Sequence, residues 1–211
     1  MTVSADHSTH HPWDDPQACL MGIVNTTPDS FSDGGDCLRP QDALKHIQTL
    51  LKDGAAIIDI GGESTRPGAQ RVQVETQKER VLEVIAAAVA AWPDVFISID
   101  TTSSAVAEAA LDAGARMLND VSAGREDPQM LALAAQRRTP ICMMHMQGEP
   151  ATMQDKPQYD DVVEEVYAFL CGRIEAALDA GVEDTNIIID PGIGFGKTLE
   201  HNLLLLAGIK R

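Results

Sequence analysis

Six short apolar, β-branched runs recur along this chain, at Ala18–Asn25, Ala56–Gly61, Val95–Asp100, Arg116–Val121, Pro140–Met146 and Asn186–Asp190. Most are apolar almost without a break, the pattern of strands buried on both faces of a parallel sheet. Helical stripes separate them. Leu44, Ile47 and Leu51 follow Pro40, and Gly54 stands where a C-cap glycine belongs. Leu82, Ile85 and Val89 make a second stripe, and Val106, Ala109 and Ala110 a third that ends at Gly114. Asp127-Pro128 reads as N-cap and first-turn proline ahead of Met130, Leu131 and Ala134. Val162, Val166, Phe169 and Ile174 run to Gly181, and a sixth stripe begins at Leu203–Leu206. Strand alternating with helix predicts an α/β fold. No linker or composition break interrupts residues 18–211, which read as one domain behind a tail at 1–17.

Two layouts satisfy that pattern, an open doubly wound sheet and a (β/α)8 TIM-barrel type. The dinucleotide fingerprint is absent after the first run, and Gly192-Ile193-Gly194-Phe195-Gly196 lacks its spacing. No P-loop leads to Lys197 either. Polar residues gather at the carboxyl ends of the runs: Asn25, Asp59 with Glu63, Asp100, Asn119 with Asp120, His145 with Gln147, and Asp190. A barrel brings such ends to one rim, where active sites sit. An open sheet spreads them along a line no small ligand spans, so the placement favours the barrel.

Charge narrows the function. The 211 residues carry a formal net charge of −16, which repels phosphate backbones and anionic lipid. Neither nucleic acid nor a membrane surface is expected as a partner. The longest apolar run, Val84–Trp92, is too short to span a bilayer. Cys19, Cys37, Cys142 and Cys171 fit no zinc spacing and read as free thiols of a reducing cytoplasm. The N-terminus lacks the basic and apolar regions of a secretion signal, and His7, His10 and His11 sit in a polar, proline-punctuated stretch.

Two long loops leave the expected rim. Residues 25–35 (NTTPDSFSDGG) have turn chemistry but are long for an ordinary turn, which points to a lid or binding loop. Residues 61–68 (GGESTRPG) pair glycines that admit a ligand to the backbone with Arg66, a cation suited to a carboxylate or phosphate. Asp100, Asn119 and Asp190 end three different strands, and side chains of this kind in buried positions need partners. Either neighbouring backbone satisfies them or they hold a ligand. Two carboxylates and an amide suit a flat heterocycle with a row of N–H donors. His145, in Met143-Met144-His145-Met146, reads as ligand, base or packed core residue, and its methionine neighbours favour packing.

The stretch Met21–Gly35 (MGIVNTTPDSFSDGG) closely resembles the first signature of the dihydropteroate synthase family, and Asp59–Gly68 (DIGGESTRPG) its second. Ser98–Thr101, Leu118–Val121, Met144–Gly148 and Asp190–Lys197 match its later strand ends, so the resemblance runs from about Cys19 to Leu206. It implies a (β/α)8 barrel and a transferase of folate biosynthesis. Such an enzyme joins 6-hydroxymethyl-7,8-dihydropterin pyrophosphate to para-aminobenzoate, releases pyrophosphate, and is the target of sulfonamides. Carried over by match, Asp190 grips the 2-amino and N3 edge of the pterin, and Asp100 and Asn119 hold its other ring. Asn25 helps hold Mg²⁺ against the pyrophosphate. Thr65, Arg66 and Pro67, with Phe31 and Phe195, border the para-aminobenzoate pocket. The family also implies a homodimer at full length.

The family's Ser-Arg-Lys on strand seven and Arg-x-His on strand eight have no counterpart within these 211 residues, which make six of the eight βα units. The expectation is that the 211-residue chain alone is poorly soluble and has no appreciable synthase activity. A non-catalytic pterin-binding paralogue or inactive fragment is the alternative reading. A pterin-dependent methyltransferase is the weaker one, because it lacks the two paired loops.

Overall fold

The computed structural model describes residues 11–14, 18–27, 40–64, 71–150 and 152–210. Six parallel strands, β1 (Met21–Asn25), β2 (Ile57–Gly61), β3 (Phe96–Asp100), β4 (Met117–Asp120), β5 (Ile141–Met144) and β6 (Ile187–Asp190), form one sheet. They alternate with helices α1 (Pro40–Lys52), α2 (Val74–Ala91), α3 (Ser104–Asp112), α4 (Gln129–Arg137), α5 (Val162–Asp179) and α6 (Leu199–Gly208). A turn of 3-10 helix, Asp184–Asn186, leads into β6.

The strands lie side by side in chain order, each hydrogen-bonded to the next. A doubly wound sheet reverses its order at a switch point. Here nothing reverses, which excludes that layout and leaves six consecutive units of the barrel type. Among the described residues, β1 and β6 are each paired on one side only.

Period-2 geometry sorts the strand residues into two sets. Ile58, Ile60, Ile97, Ile99, Leu118 and Met143 pack with the helices in the main core. The alternate residues face the other way and change character with height. At the amino end Ile57, Phe96, Met117 and Cys142 form an apolar cluster with Trp13, Met21 and Ile188. Toward the carboxyl end the same face carries Asp59, Ser98, Asp100, Asn119 and Asp190. Trp13, in the stretch read as a tail, meets the Phe96 ring edge-on at 5.6 Å and stacks on His11 at 4.6 Å.

The helix ends follow the sequence closely. Gly54 closes α1 at φ +96°. Asp161 caps α5 by accepting from the N–H groups of Val163 and Glu164. Thr198 and His201 form a reciprocal capping box at α6, which begins before the Leu203–Leu206 stripe. Helix α4 starts one residue later than the Asp127-Pro128 reading places it. Asp127 still accepts from the Gln129 N–H at 3.0 Å, but its other oxygen takes the Ser104 N–H at 2.8 Å and ties two helix starts together. No described helix is long and apolar enough to cross a membrane. Cys19, Cys142 and Cys171 are free thiols, and Cys37 lies outside the described residues.

Candidate functional site

The carboxyl ends of β1 to β4 bring Asn25, Gly61, Asp100 and Asn119 into register across four neighbouring strands. The lack of a side chain at Gly61 matters here. A methyl group at that position would come within 3.3 Å of Asp100 Oδ2 and 3.7 Å of Asn25 Oδ1, so both oxygens border one small space.

Below them lies Asp59, 3% exposed, beside the fully buried Ser98. Asp59 Oδ2 accepts from Asn119 Nδ2 at 3.0 Å. That bond fixes the amide: its N–H faces the carboxylate, and its carbonyl oxygen is left for the ligand side. Burial raises the Asp59 pKa, against the lowering pull of Ser98 and Asn119. Asp100 is held well above the usual carboxylate range, first by desolvation and then by the charges of Asp59, Asp120 and Glu63. Its carboxylate accepts no hydrogen bond from the described residues. Asp120, fully buried, instead organises its own loop through the N–H groups of Ser122 at 2.8 Å and Gly124 at 2.7 Å.

The rim of this half is a cleft lined by Glu63, Arg71, Asp100, Thr101, Glu126 and Glu149. Arg71 pairs with Glu126, lies 3.6 Å from Glu63 and donates to Thr102 Oγ1 at 3.2 Å. Gln77, buried in α2, donates to Glu63 and to the Val72 carbonyl and accepts from Thr101. These bonds anchor both flanks of residues 65–70.

The other half is built differently. Asp190, half-buried at the end of β6, accepts the Gly192 N–H at 2.7 Å on Oδ1. Its backbone carbonyl accepts the His145 N–H at 2.9 Å. Phe195 packs with Val121, Met144, Met146 and Met153 beside it. Beneath that turn sits Lys197, 3% exposed, whose ammonium reaches the carbonyls of Gly192 and Phe195 at 2.9 Å each and of His145 at 3.3 Å, with His145 Nδ1 at 3.0 Å. Burial brings the Lys197 pKa down to about 8. Burial, then the charges of Lys197 and Arg125, brings that of His145 down to about 4, so its neutral ring accepts at Nδ1.

Asn25, Asp100, Asn119 and Asp190 therefore stand on strand ends of one sheet face, as the sequence indicates, with Phe195 on the loop after β6. Phe31, Thr65, Arg66 and Pro67 lie outside the described residues. Sequence reading missed two features. Asp59 appears in it only as another polar strand end, not as the partner that orients Asn119. Lys197 appears only as the lysine that fails a P-loop pattern. The signal for Asp59 is its parity with Gly61 inside an isoleucine run; the signal for Lys197 is a lone lysine after three glycines in a chain with few cations. The packed reading of His145 agrees with its surroundings, the rings of Phe169 at 4.8 Å and Tyr159 at 6.1 Å.

The family described as "Pterin binding enzyme" matches residues 21–211. A dihydropteroate synthase of Streptococcus pyogenes serotype M6 is 50% identical over 194 residues, which cover 92% of this chain and 70% of that one. The enzyme of the same name from Escherichia coli K12 is 47% identical over 188 residues, 89% of this chain and 66% of that one. Among solved structures, Yersinia pestis dihydropteroate synthase with a sulfonamide drug complex superimposes with a TM-score of 0.84 at 44% identity, over 90% of this chain and 69% of that one. Xanthomonas albilineans dihydropteroate synthase in complex with 7,8-dihydropteroate gives 0.80 at 43%, over 92% and 68%.

Proposed function

We infer the function from one premise: the chain belongs to the pterin-binding enzyme family, and within it to the dihydropteroate synthases. Its reaction joins a dihydropterin pyrophosphate to para-aminobenzoate. The arylamine nitrogen forms a bond to the pterin methylene carbon and loses a proton. The C–O bond to pyrophosphate breaks, and the electron pair leaves with the pyrophosphate.

One observation carries the assignment of the site. Asp100 is a crowded carboxylate without a hydrogen bond from any described residue, on the same sheet face as an oriented Asn119 carbonyl and the Asp190 carboxylate. Such groups are satisfied by ligand. The Gly192 N–H steadies Asp190 at Oδ1 and leaves Oδ2 for a ring edge with adjacent N–H donors, the 2-amino and N3 edge of a pterin. Asp100 and Asn119 then serve the opposite ring. Phe195 borders the aminobenzoate, and the family resemblance gives the same role to Phe31, Thr65, Arg66 and Pro67.

The site is strongly acidic: Asp59, Asp100, Asp120 and Glu63 share one neighbourhood. That field favours a cationic pterin methylene if pyrophosphate departs first, and it opposes the leaving anion. A cation is needed at the mouth. The described residues contain no cluster of three His, Cys, Asp or Glu side chains that could hold a metal. Mg²⁺ does not require one, because it binds through one or two protein oxygens, substrate phosphate and retained waters. Asn25 Oδ1, which borders the space above Gly61, is a protein oxygen of that kind. The ion would neutralise charge on the pyrophosphate. The same reading extends to a cytoplasmic enzyme that pairs as a homodimer.

Pyrophosphate release is the test. Fused to the seventh and eighth βα units of a relative, the chain given dihydropterin pyrophosphate, para-aminobenzoate and Mg²⁺ should yield dihydropteroate and pyrophosphate in equal amounts. Pterin binding without turnover would leave a pterin-binding module in place of an enzyme, and absence of both would sink the assignment.

A further inference from the structure

We propose that Lys197 is a positioning residue that sets Asp190 for the pterin by clamping the Gly192 end of the β6–α6 loop to His145. This inference deepens the pterin-site reading and rests on it for its binding consequence.

The loop after β6 is held at two separate points. Its far part is fixed by side chains from other elements: Tyr159 Oη donates to the Gly196 carbonyl at 2.9 Å, Asn202 Oδ1 accepts the Gly194 N–H at 2.9 Å, and Gln154 donates to the Gly194 carbonyl. The near part, where Gly192 presents its N–H to Asp190, closes on itself through the Phe195 N–H to the Gly192 carbonyl at 3.0 Å and is tied to the β5 loop by Lys197. One ammonium joins the Gly192 carbonyl, the Phe195 carbonyl and both the carbonyl and Nδ1 of His145. The two loops touch there through backbone. Gly192 has φ +68°, and a methyl group on it would collide with the His145 carbonyl oxygen. Lys197 bonds the Gly192 carbonyl at 2.9 Å and the His145 carbonyl at 3.3 Å, so one ammonium ties the two segments where their backbones meet. A buried lysine with no substrate-facing role in the proposed reaction is thereby explained. It holds the N–H that fixes the Asp190 rotamer, and through the Phe195 carbonyl it holds the ring beside the second substrate.

Methionine at 197 keeps the stem's volume and removes every donor. The far-end bonds remain, so the fold should survive. Amide hydrogen exchange on the ligand-free protein should then show the Gly192 N–H exchanging at least tenfold faster in Lys197→Met, while the Gly194 N–H, held by Asn202, stays at its wild-type rate. Calorimetry with the dihydropterin pyrophosphate should show at least tenfold weaker binding. Asp190→Asn added to Lys197→Met should cost much less than in the wild type, because the clamp and the carboxylate act as one unit. A second pair covers the case in which Lys197→Met does not fold. His145→Asn keeps an acceptor near the Nδ1 position and should retain Gly192 protection, whereas His145→Leu removes one of the ammonium's four partners and should lower it in part. Unchanged Gly192 exchange, or strictly additive losses in the double variant, would overturn the proposal. If the wild-type protein binds no pterin, the functional reading fails on its own and the exchange result still decides the clamp.

Discussion

The two halves of the rim solve the same problem, a carboxylate at a strand end, in opposite ways. On β2 to β4 the carboxylates crowd one another: Asp59 and Asp100 are raised by burial, and Asp100 further by its acidic neighbours. On β5 and β6 a single carboxylate, Asp190, is steadied by a backbone N–H in front of a buried cation. The first half stores unmet demand for hydrogen-bond donors. The second is held by backbone before ligand arrives, with one oxygen of Asp190 bonded and the other open. A site made this way has a fixed, oriented acceptor on the β6 side and open acceptors on the β2–β4 side.

The largest test of that contrast is steric. Gly192→Ala should destabilise the protein by about 3–5 kcal/mol, read from the urea midpoint, because neither backbone can yield. Gly61→Ala meets two side chains, Asp100 at 3.3 Å and Asn25 at 3.7 Å, and should cost about 1 kcal/mol or less. Equal costs would erase the distinction between a rigid half and a yielding one.

Ligand binding comes next. Asp190→Asn should weaken pterin binding by about 1.5–3 kcal/mol, the range for a charge-assisted hydrogen bond. Asp100→Asn should cost less, since no described residue holds the Asp100 side chain in place before ligand arrives, whereas the Gly192 N–H holds Asp190. Calorimetry on both variants ranks them, and the reverse order would mean that the pre-oriented carboxylate matters less than the open one.

Stability against pH should then slope in opposite directions. A carboxyl raised in the folded state gives stability at low pH that is lost as pH climbs from 3.8, the ordinary value, through the raised one. Asp59→Asn keeps an acceptor for Asn119 and removes that charge. It should match the wild type at the acid end and exceed it by about 1 kcal/mol at neutral pH. His145 works the other way. Its pKa falls from 6.5 to about 4 on folding, so its contribution is complete above 6.5 and is lost as pH drops toward 4. After solvent screening that loss is about 1 kcal/mol, and His145→Asn should remove it. Denaturation midpoints across pH 4 to 8 measure both slopes, and a shared sign would break the comparison.

How far the sequence exposes these features depends on what each residue's neighbours need. The strands and helices are legible because apolar period and cap chemistry are local: Asp161 and Thr198 cap helices within three residues of themselves. Asp100, Asn119 and Asp190 are legible because a polar group ending an apolar run is conspicuous. The Asp59–Asn119 bond spans 60 residues and the Lys197–His145 bond 52, and no local pattern encodes either. Asp59 is masked by isoleucines that belong to the opposite face of the sheet. His145 is legible as packed but not as an acceptor, because its partner is a lysine from the next unit.

The alternation of faces along β3 also limits how relatives of this chain can diverge. Ser98 and Asp100 point to the chemistry while Ile97 and Ile99 point to the helices. Deleting one residue would exchange the two sets, placing carboxylate against helix and isoleucine against substrate. Lineages can therefore alter specificity by replacing every second residue, or by lengthening the connections after each strand. The strands themselves are closed to insertion and deletion, and variation in length should be confined to the segments between them.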